Sequence, residues 1–244
     1  VLADPTAAVE AEVWASLADG TPLVTAPRQG EGWIVLFHVT ANSDWSNLPL
    51  SGLFVEMLRQ TIALGPSQVT AGDQQDGAGM YNDDGSPTLA NCLFLDNTAQ
   101  DDGGGLYNWN GSSPTITDCT FQNNTAEFGG GGMDNGFDSN PRLEDVTFLA
   151  NSAGFAGGGI SNVSNRPTLI NVVFESNFSG FTGGALDNSF NADAVLVNVR
   201  FTGNEADKWG GAMSNDDSDP TITNAVFSGN KATDGGAIHN DKSS

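Results

Sequence analysis

Adjacent aspartates are the residues of this chain whose type and spacing most directly suggest chemistry. Three pairs lie beside Gly- and Asn-rich stretches, and they are Asp83-Asp84, Asp101-Asp102 and Asp216-Asp217. Paired carboxylates could act as acid and base in the cleavage of a polysaccharide. Carboxylates combined with turn carbonyls are also the ligands that Ca²⁺ prefers. The residues indicate no cofactor other than calcium, for which Asp83, Asp84, Asp216 and Asp217 are the predicted ligands.

Basic partners for cleavage chemistry are scarce. The only histidines are His38 and His239, and Arg142, Arg166 and Arg200 are spread along the chain. The sequence therefore favours solvated turn carboxylates over catalysis, and it assigns no catalytic residue. The 30 acidic and 8 basic residues give a formal net charge of −22. That charge argues against nucleic acid and anionic membranes as partners, because both require a cationic surface.

The adjacent aspartates lie within a repeat of 26–27 residues, which must position them in the fold. Phe recurs at 94, 121, 148, 174, 201 and 227, and each Phe is followed three residues later by Asn. The other repeated motif consists of a Gly-rich triplet, an apolar residue, one variable residue and a second Asn, as in Gly-Gly-Gly-Leu-Tyr-Asn. The repeated asparagines are Asn97, Asn124, Asn151, Asn177, Asn204 and Asn230 in the first motif, and Asn82, Asn108, Asn135, Asn162, Asn188, Asn215 and Asn240 in the second.

Three short β-like runs in each repeat, ended by Gly, Asn or Pro, are typical of a parallel β-helix. The sequence predicts an all-β, right-handed, three-sided parallel β-helix of about six to seven coils. Residues one repeat apart then stack about 4.8 Å from one another. The Phe column and the Met/Leu/Ile column are predicted to fill the interior, and the asparagines to form side-chain amide ladders.

Aromatic residues precede the Gly triplet on four successive coils, at Phe128, Phe155, Phe181 and Trp209. Two interpretations are open. If the column is exposed, it is a stacking platform for sugar rings or a patch for a hydrophobic partner. Otherwise each ring folds back over its own turn.

Cys92 and Cys119 lie 27 residues apart at the same position of the repeat. Adjacent coils would hold them near disulfide range. Both a pair of buried, stacked thiols and a coil-to-coil disulfide fit this spacing.

The first 68 residues differ in character from the rest. The apolar run 33–39 predicts a strand, and the helical spacing of apolar residues over 50–64 predicts an amphipathic helix that ends at Gly65-Pro66. We predict that 1–68 form a short α/β segment that caps the first coil of a β-helix formed by 69–244. Such a cap would cover the strand edge and apolar interior of that coil.

The Gly-Gly-(Ala/Gly)-apolar and Phe-x-x-Asn motifs of residues 73–244 resemble the repeats of chlamydial polymorphic outer-membrane proteins. That resemblance implies display at a bacterial cell surface and no particular chemistry. The string GEGWIVLFHVTANSDWSNLPLSGLFVEMLRQ, within residues 1–65, is similar to part of the periplasmic region of BatA-like membrane proteins. The sequence contains no apolar run long enough to span a membrane.

These observations predict a non-enzymatic extracellular or cell-surface module with a structural or adhesive role. Its expected partner is a surface protein or polysaccharide bound along one face, or another copy joined through the coil ends. The alternative is a polysaccharide lyase or hydrolase that uses the Asp pairs on the β-helix face.

Overall fold

The structure is a computed structural model that describes residues 11–16, 22–29, 32–33, 36–37 and 75–242. The chain divides into two compact units, Val1–Gln68 and Val69–Ser244. In the first unit the described strands are Ala11–Ser16, Pro22–Gln29, Gly32–Trp33 and Leu36–Phe37, and Pro22–Gln29 pairs antiparallel with each of the others. The predicted helix over 50–64 lies outside the described residues, and the predicted cap stays a prediction.

The second unit is built from four parallel sheets whose strands lie one repeat apart. Sheet 1 contains Met80–Asp83, Leu106–Trp109, Met133–Asn135, Ile160–Val163, Leu186–Ser189, Met213–Asp216 and Ile238–Asp241. Sheet 2 contains Thr88–Ala90, Thr115–Thr117, Arg142–Glu144, Thr168–Ile170, Val195–Val197 and Thr221–Thr223. Sheet 3 contains Leu93–Leu95, Thr120–Gln122, Thr147–Leu149, Val173–Glu175, Arg200–Thr202 and Val226–Ser228. Sheet 4 contains Thr98–Ala99, Thr125–Ala126, Ser152–Ala153, Phe178–Ser179 and Glu205–Ala206.

The predicted parallel β-helix is confirmed, with about six coils, and the structure adds the two-residue strands of sheet 4 to the three β-runs predicted in each repeat. Equivalent residues pair directly, so that Phe121 lies opposite Phe148 and Met133 opposite Ile160. The six Phe rings of sheet 3 form one stack, with neighbouring centroids 4.5–5.1 Å apart and planes within 14° of parallel. No single coil can bury these side chains by itself, so the core exists only because coils stack.

The thirteen repeated asparagines form two rows along the axis, and all of them except Asn230 and Asn240 on the last coil are buried. In one row, Asn124 Nδ2 donates to Asn151 Oδ1 at 3.0 Å, and Asn151 Nδ2 donates to Asn177 Oδ1 at 3.0 Å. The second row repeats the pattern from Asn82 to Asn240, with bonds of 2.7–2.9 Å. These bonds satisfy amides that would otherwise be buried without partners.

A third row of Asn and Asp marks the corner between sheets 2 and 3. Its members have φ between 51° and 55°, and they are Asn91, Asp118, Asp145, Asn171, Asn198 and Asn224. Asn and Asp tolerate this left-handed conformation better than other residues with side chains. The row is exposed to solvent, unlike the other two.

Candidate functional site

A groove of about 520 Å³ runs along the outer face of sheet 1. The floor of the groove is formed by one residue from each of six copies of the Gly-rich motif. This is the variable residue that lies between the apolar residue and the asparagine. Strand alternation turns that residue outward while both neighbours point inward. The floor consists of Tyr107, Asp134, Ser161, Asp187, Ser214 and His239, on six successive strands.

Two walls flank the floor, and each comes from a corner next to sheet 1. The first wall is the predicted aromatic column, Phe128, Phe155, Phe181 and Trp209, and the second wall is formed mainly by Trp109, Phe137, Val163 and Phe190. Phe128 and Phe155 remain 54 % and 51 % exposed. The walls are high enough that the outward-facing Asp134 and Asp187 are only 5 % and 6 % exposed.

The aromatic column is partly exposed, and its rings are not all parallel to one another. Phe155 and Phe181 stack on one another, with centroids 4.9 Å apart and planes 13° from parallel. Trp209 is turned by 64° from Phe181 and stacks on His239. Stacking covers one face of Phe155 and one face of Phe181, so the edges of both rings are part of the surface of this wall. Ring edges carry the positive part of the aromatic quadrupole and attract oxygen atoms.

Carboxylates converge around Gly129, at one side of the floor. A Cβ placed on Gly129 would lie 3.0 Å from Asp134 Oδ2, 3.1 Å from Asp102 Oδ1 and 3.1 Å from Ser161 Oγ. Asp102 Oδ1 accepts a hydrogen bond of 2.7 Å from the Gly129 amide. Glycine therefore leaves open the space that these three oxygens share.

Burial governs the electrostatics of the floor. Desolvation is the largest of the effects that raise the pKa of Asp134 well above its usual range, and the nearby Asp102 carboxylate raises it further. Desolvation likewise raises the pKa of Asp187 to about 6, although hydrogen bonds from Thr182 and Ser189 oppose the shift. The groove thus holds acids that gain a proton more readily than ordinary aspartates.

Changing Asp187 to Asn should stabilise the protein near neutral pH. The native state holds the Asp187 proton more tightly than the unfolded chain, so its ionisation lowers stability as the pH rises from about 4 to about 6. A shift of about two pKa units corresponds to about 3 kcal/mol. We therefore expect Asp187→Asn to raise the free energy of unfolding by up to about 3 kcal/mol near pH 7, and little near pH 4.

Urea denaturation of both proteins at several pH values measures this difference. Asp134 and Asp216 interact with the Asp187 charge, so the removal of that charge also relieves their repulsion and acts in the same direction. Asp118→Asn is the matched control, because Asp118 is exposed and its row already contains asparagines. A loss of stability in Asp187→Asn near pH 7 would mean that the Thr182 and Ser189 hydrogen bonds outweigh desolvation.

The predicted calcium ligands do not converge. Asp83 and Asp216 occupy the same position on the first and sixth strands of sheet 1, about 24 Å apart at the usual strand spacing. Asp84 and Asp217 follow them at corners with φ of 53°. Among residues 75–242, no three or more acidic, His or Cys side chains are grouped closely enough to hold a metal. Calcium binding stays a prediction without geometric support.

The two cysteines are free thiols on adjacent coils. The Cys92 amide donates to Cys119 Sγ at 3.3 Å, and burial raises the pKa of Cys119 to about 11. Val146, Val172 and Val199 fill the same buried position on later coils. The pair contributes to packing and takes no part in the groove.

Several groove residues were not identified from the sequence, among them Trp109, Asp134, Phe137, Asp187 and Phe190. Strand alternation at the second motif could have placed Asp134 and Asp187 on the outer face. Their burial depends on the two walls, which come from other parts of each coil. The sequence next to Asp134 and Asp187 therefore does not predict that these side chains are buried.

The fold and the groove together define a parallel β-helix with a surface cleft along its axis. A family model described as the right handed beta helix region matches residues 67–192. This match covers more than half of the chain, and the chain therefore belongs to the right-handed β-helix family. A Chlamydia polymorphic membrane protein repeat matches residues 224–241, which confirms the predicted resemblance of the repeat motifs to that family.

Searches of curated proteins and of solved structures found no significant match. Within the part of the chain that the structure describes, no helix has the length and hydrophobicity to cross a membrane.

Proposed function

We propose that this chain is a β-helix module of a bacterial cell-surface or secreted protein that binds an extended glycan chain in the sheet 1 groove. The observation that carries the proposal is the groove itself, about 520 Å³ in volume, with aromatic walls and a polar floor that continue over successive coils. The match to a surface-protein repeat supports the location. The role is adhesive or structural.

The chemistry of the groove suits a polyhydroxylated polymer. Carboxylate and hydroxyl oxygens of Asp134, Ser161 and Asp187 would accept hydrogen bonds from sugar hydroxyls along the floor. The ring edges of the first wall would attract sugar oxygens. Each coil repeats these contacts about 4.8 Å further along the axis, so a linear chain would gain affinity from several weak contacts.

A second candidate function, hydrolysis of the bound chain, is favoured by one observation. Asp134 and Asp187 are separated by two coils, about 9.6 Å, which is close to the carboxylate separation in inverting glycosidases of about 6.5–9.5 Å. The raised pKa of Asp134 would suit a general acid. This pair differs from the adjacent Asp pairs considered in the sequence.

Affinity electrophoresis of the full chain in gels that contain neutral, acidic or amino polysaccharides tests the proposal. We expect retention by at least one polysaccharide. Phe155→Ala should weaken it by about tenfold, because truncation of a contact aromatic costs about 1–2 kcal/mol of binding. Phe178→Ala is the matched control, since Phe178 is 38 % exposed on sheet 4, outside the groove.

The polysaccharides are also assayed for new reducing ends after incubation. Retention that is equally weakened by both Phe variants would place binding elsewhere on the helix. Retention by no polysaccharide would contradict glycan binding. New reducing ends that disappear in Asp134→Asn would support the hydrolase instead of the binding module.

A further inference from the structure

The floor of the groove alternates between acidic and hydroxyl side chains. Asp134, Ser161, Asp187 and Ser214 lie directly opposite one another on four successive strands of sheet 1. The two carboxylates therefore recur every second coil, about 9.6 Å apart along the axis. Both are more than nine-tenths buried.

These two acids have hydroxyl partners and, within residues 75–242, no ion-pair partner. Hydrogen bonds link Asp134 to Ser161, and Asp187 to Thr182 and Ser189. When these acids are ionised, their hydroxyl partners leave the negative charge uncompensated, and a cation at hydrogen-bond distance then stabilises the ionised form. A cationic ligand would supply the missing charge.

The first wall already holds a cation of the chain itself. Lys208 Nζ lies 3.9 Å from the centroid of the Trp209 ring and 4.5 Å from that of Phe181. Aromatic rings attract ammonium groups, most strongly when these are partly desolvated. The ring faces of Phe181 and Trp209 are thus already occupied by Lys208, and the acidic floor is the feature of the groove that would select a positively charged ligand.

We propose that the ligand of the groove is a polysaccharide with primary amines, which places one ammonium group on Asp134 and the next on Asp187. In a flat β-1,4-linked chain, successive sugars are turned over, so the same substituent faces the floor once in every two sugars. The length of such a disaccharide unit is close to the two-coil spacing. The proposal rests on the glycan-binding function and names the class of glycan.

An extended basic peptide fits this spacing less well. Side chains on one face of an extended peptide recur every two residues, about 6.7 Å apart. Two lysines on one face of such a peptide would reach both Asp134 and Asp187 only if their side chains spread apart by about 3 Å. The period of the floor therefore favours the amino polysaccharide over the peptide.

Calorimetric titration of the full chain with a β-1,4-linked glucosamine hexamer tests the proposal, at a pH just above the value of about 6 at which Asp187 ionises. The fully N-acetylated hexamer is the uncharged comparison ligand, and hexalysine is the peptide comparison. We expect the glucosamine hexamer to bind at least about tenfold more tightly than either, a factor that corresponds to about 1.4 kcal/mol.

The double variant Asp134→Asn/Asp187→Asn should lose this preference while it keeps a cooperative urea transition. Asp118→Asn removes one exposed charge elsewhere and should leave the preference unchanged. Equal binding of the two hexamers would overturn the amine proposal and leave glycan binding intact. Hexalysine binding as tight as that of the glucosamine hexamer would identify a peptide site. If no oligosaccharide or polysaccharide binds, both proposals fail.

Discussion

Replacing Asn151 by Asp should lower the free energy of unfolding by about 3–5 kcal/mol near neutral pH. Asn151 is 1 % exposed, and its Nδ2 donates to Asn177 Oδ1 at 3.0 Å and to the Phe121 carbonyl at 2.9 Å. An Asp would place a carboxylate oxygen opposite these two acceptors. Both hydrogen bonds would be lost, and an unpaired charge would be buried.

The destabilisation should shrink as the pH falls. Burial favours the neutral carboxylic acid in the native state, so the pKa of the introduced acid is expected to be raised, and its protonated form regains one donor. Urea denaturation at acidic and at neutral pH measures both effects. Asn198→Asp is the matched control, because it makes the same change in the exposed row, where Asp118 and Asp145 already occur.

We expect Asn198→Asp to change stability by less than about 1 kcal/mol. Equal losses at Asn151 and Asn198 would show that the interior ladder adds nothing beyond the exposed one. A loss at Asn151 that does not depend on pH would show that packing, and not the missing donor or the charge, causes the effect.

Replacing Gly158 by Ala should cost about 4 kcal/mol or more, at the upper end of the range for overpacking. Gly158 is the middle residue of a Gly triplet. A Cβ at this position would overlap the main-chain carbonyls of Phe178 and Gly184 on the next coil. Those oxygens belong to the parallel ladder, so they can move only if the coils separate and hydrogen bonds lengthen.

Far-UV circular dichroism and urea denaturation of Gly158→Ala measure this effect. Gly85→Ala is the control, because the nearest atom to a Cβ at Gly85 is the Asp83 carbonyl at 3.9 Å. We expect the control to change stability by less than about 1 kcal/mol. If Gly158→Ala unfolds at the same urea concentration as the parent, the coils can separate locally at little cost, contrary to the close packing described.

The repeat made the interior of the β-helix readable from the sequence. Because every coil stacks in register, Phe121 and Phe148 occupy one column, and identity at a period of 26–27 residues locates it. The same holds for the asparagine rows. Stacking in register places residues that lie one repeat apart in the sequence next to one another along the axis. The sequence period therefore predicts the columns of the core directly.

The groove was harder to predict because its floor is not a column of identical residues. Asp134 and Asp187 alternate with Ser161 and Ser214, so a search for repeated residues passes over them. Each adjacent Asp pair belongs to one coil, and at most one member of a pair, such as Asp102 or Asp216, lines the groove. The stacking of Phe155 on Phe181 depends on side-chain rotation, which spacing does not determine.

The two interior asparagine rows give the β-helix an electrical direction. In both, each side-chain carbonyl accepts a hydrogen bond from the preceding coil, and each amide NH₂ donates to the following coil. In the row that contains Asn124, main-chain amides bond to the same Oδ1 atoms and fix this orientation. The amide dipoles therefore add along the axis, whereas the dipoles of β-strands largely cancel. The hydrogen bonds of the exposed row, in which Asn198 donates to Asn171, run in the opposite direction and offset only a part of this axial dipole. The β-helix consequently carries a net dipole parallel to its axis. If two such helices were joined end to end in opposite directions, like ends of these dipoles would meet.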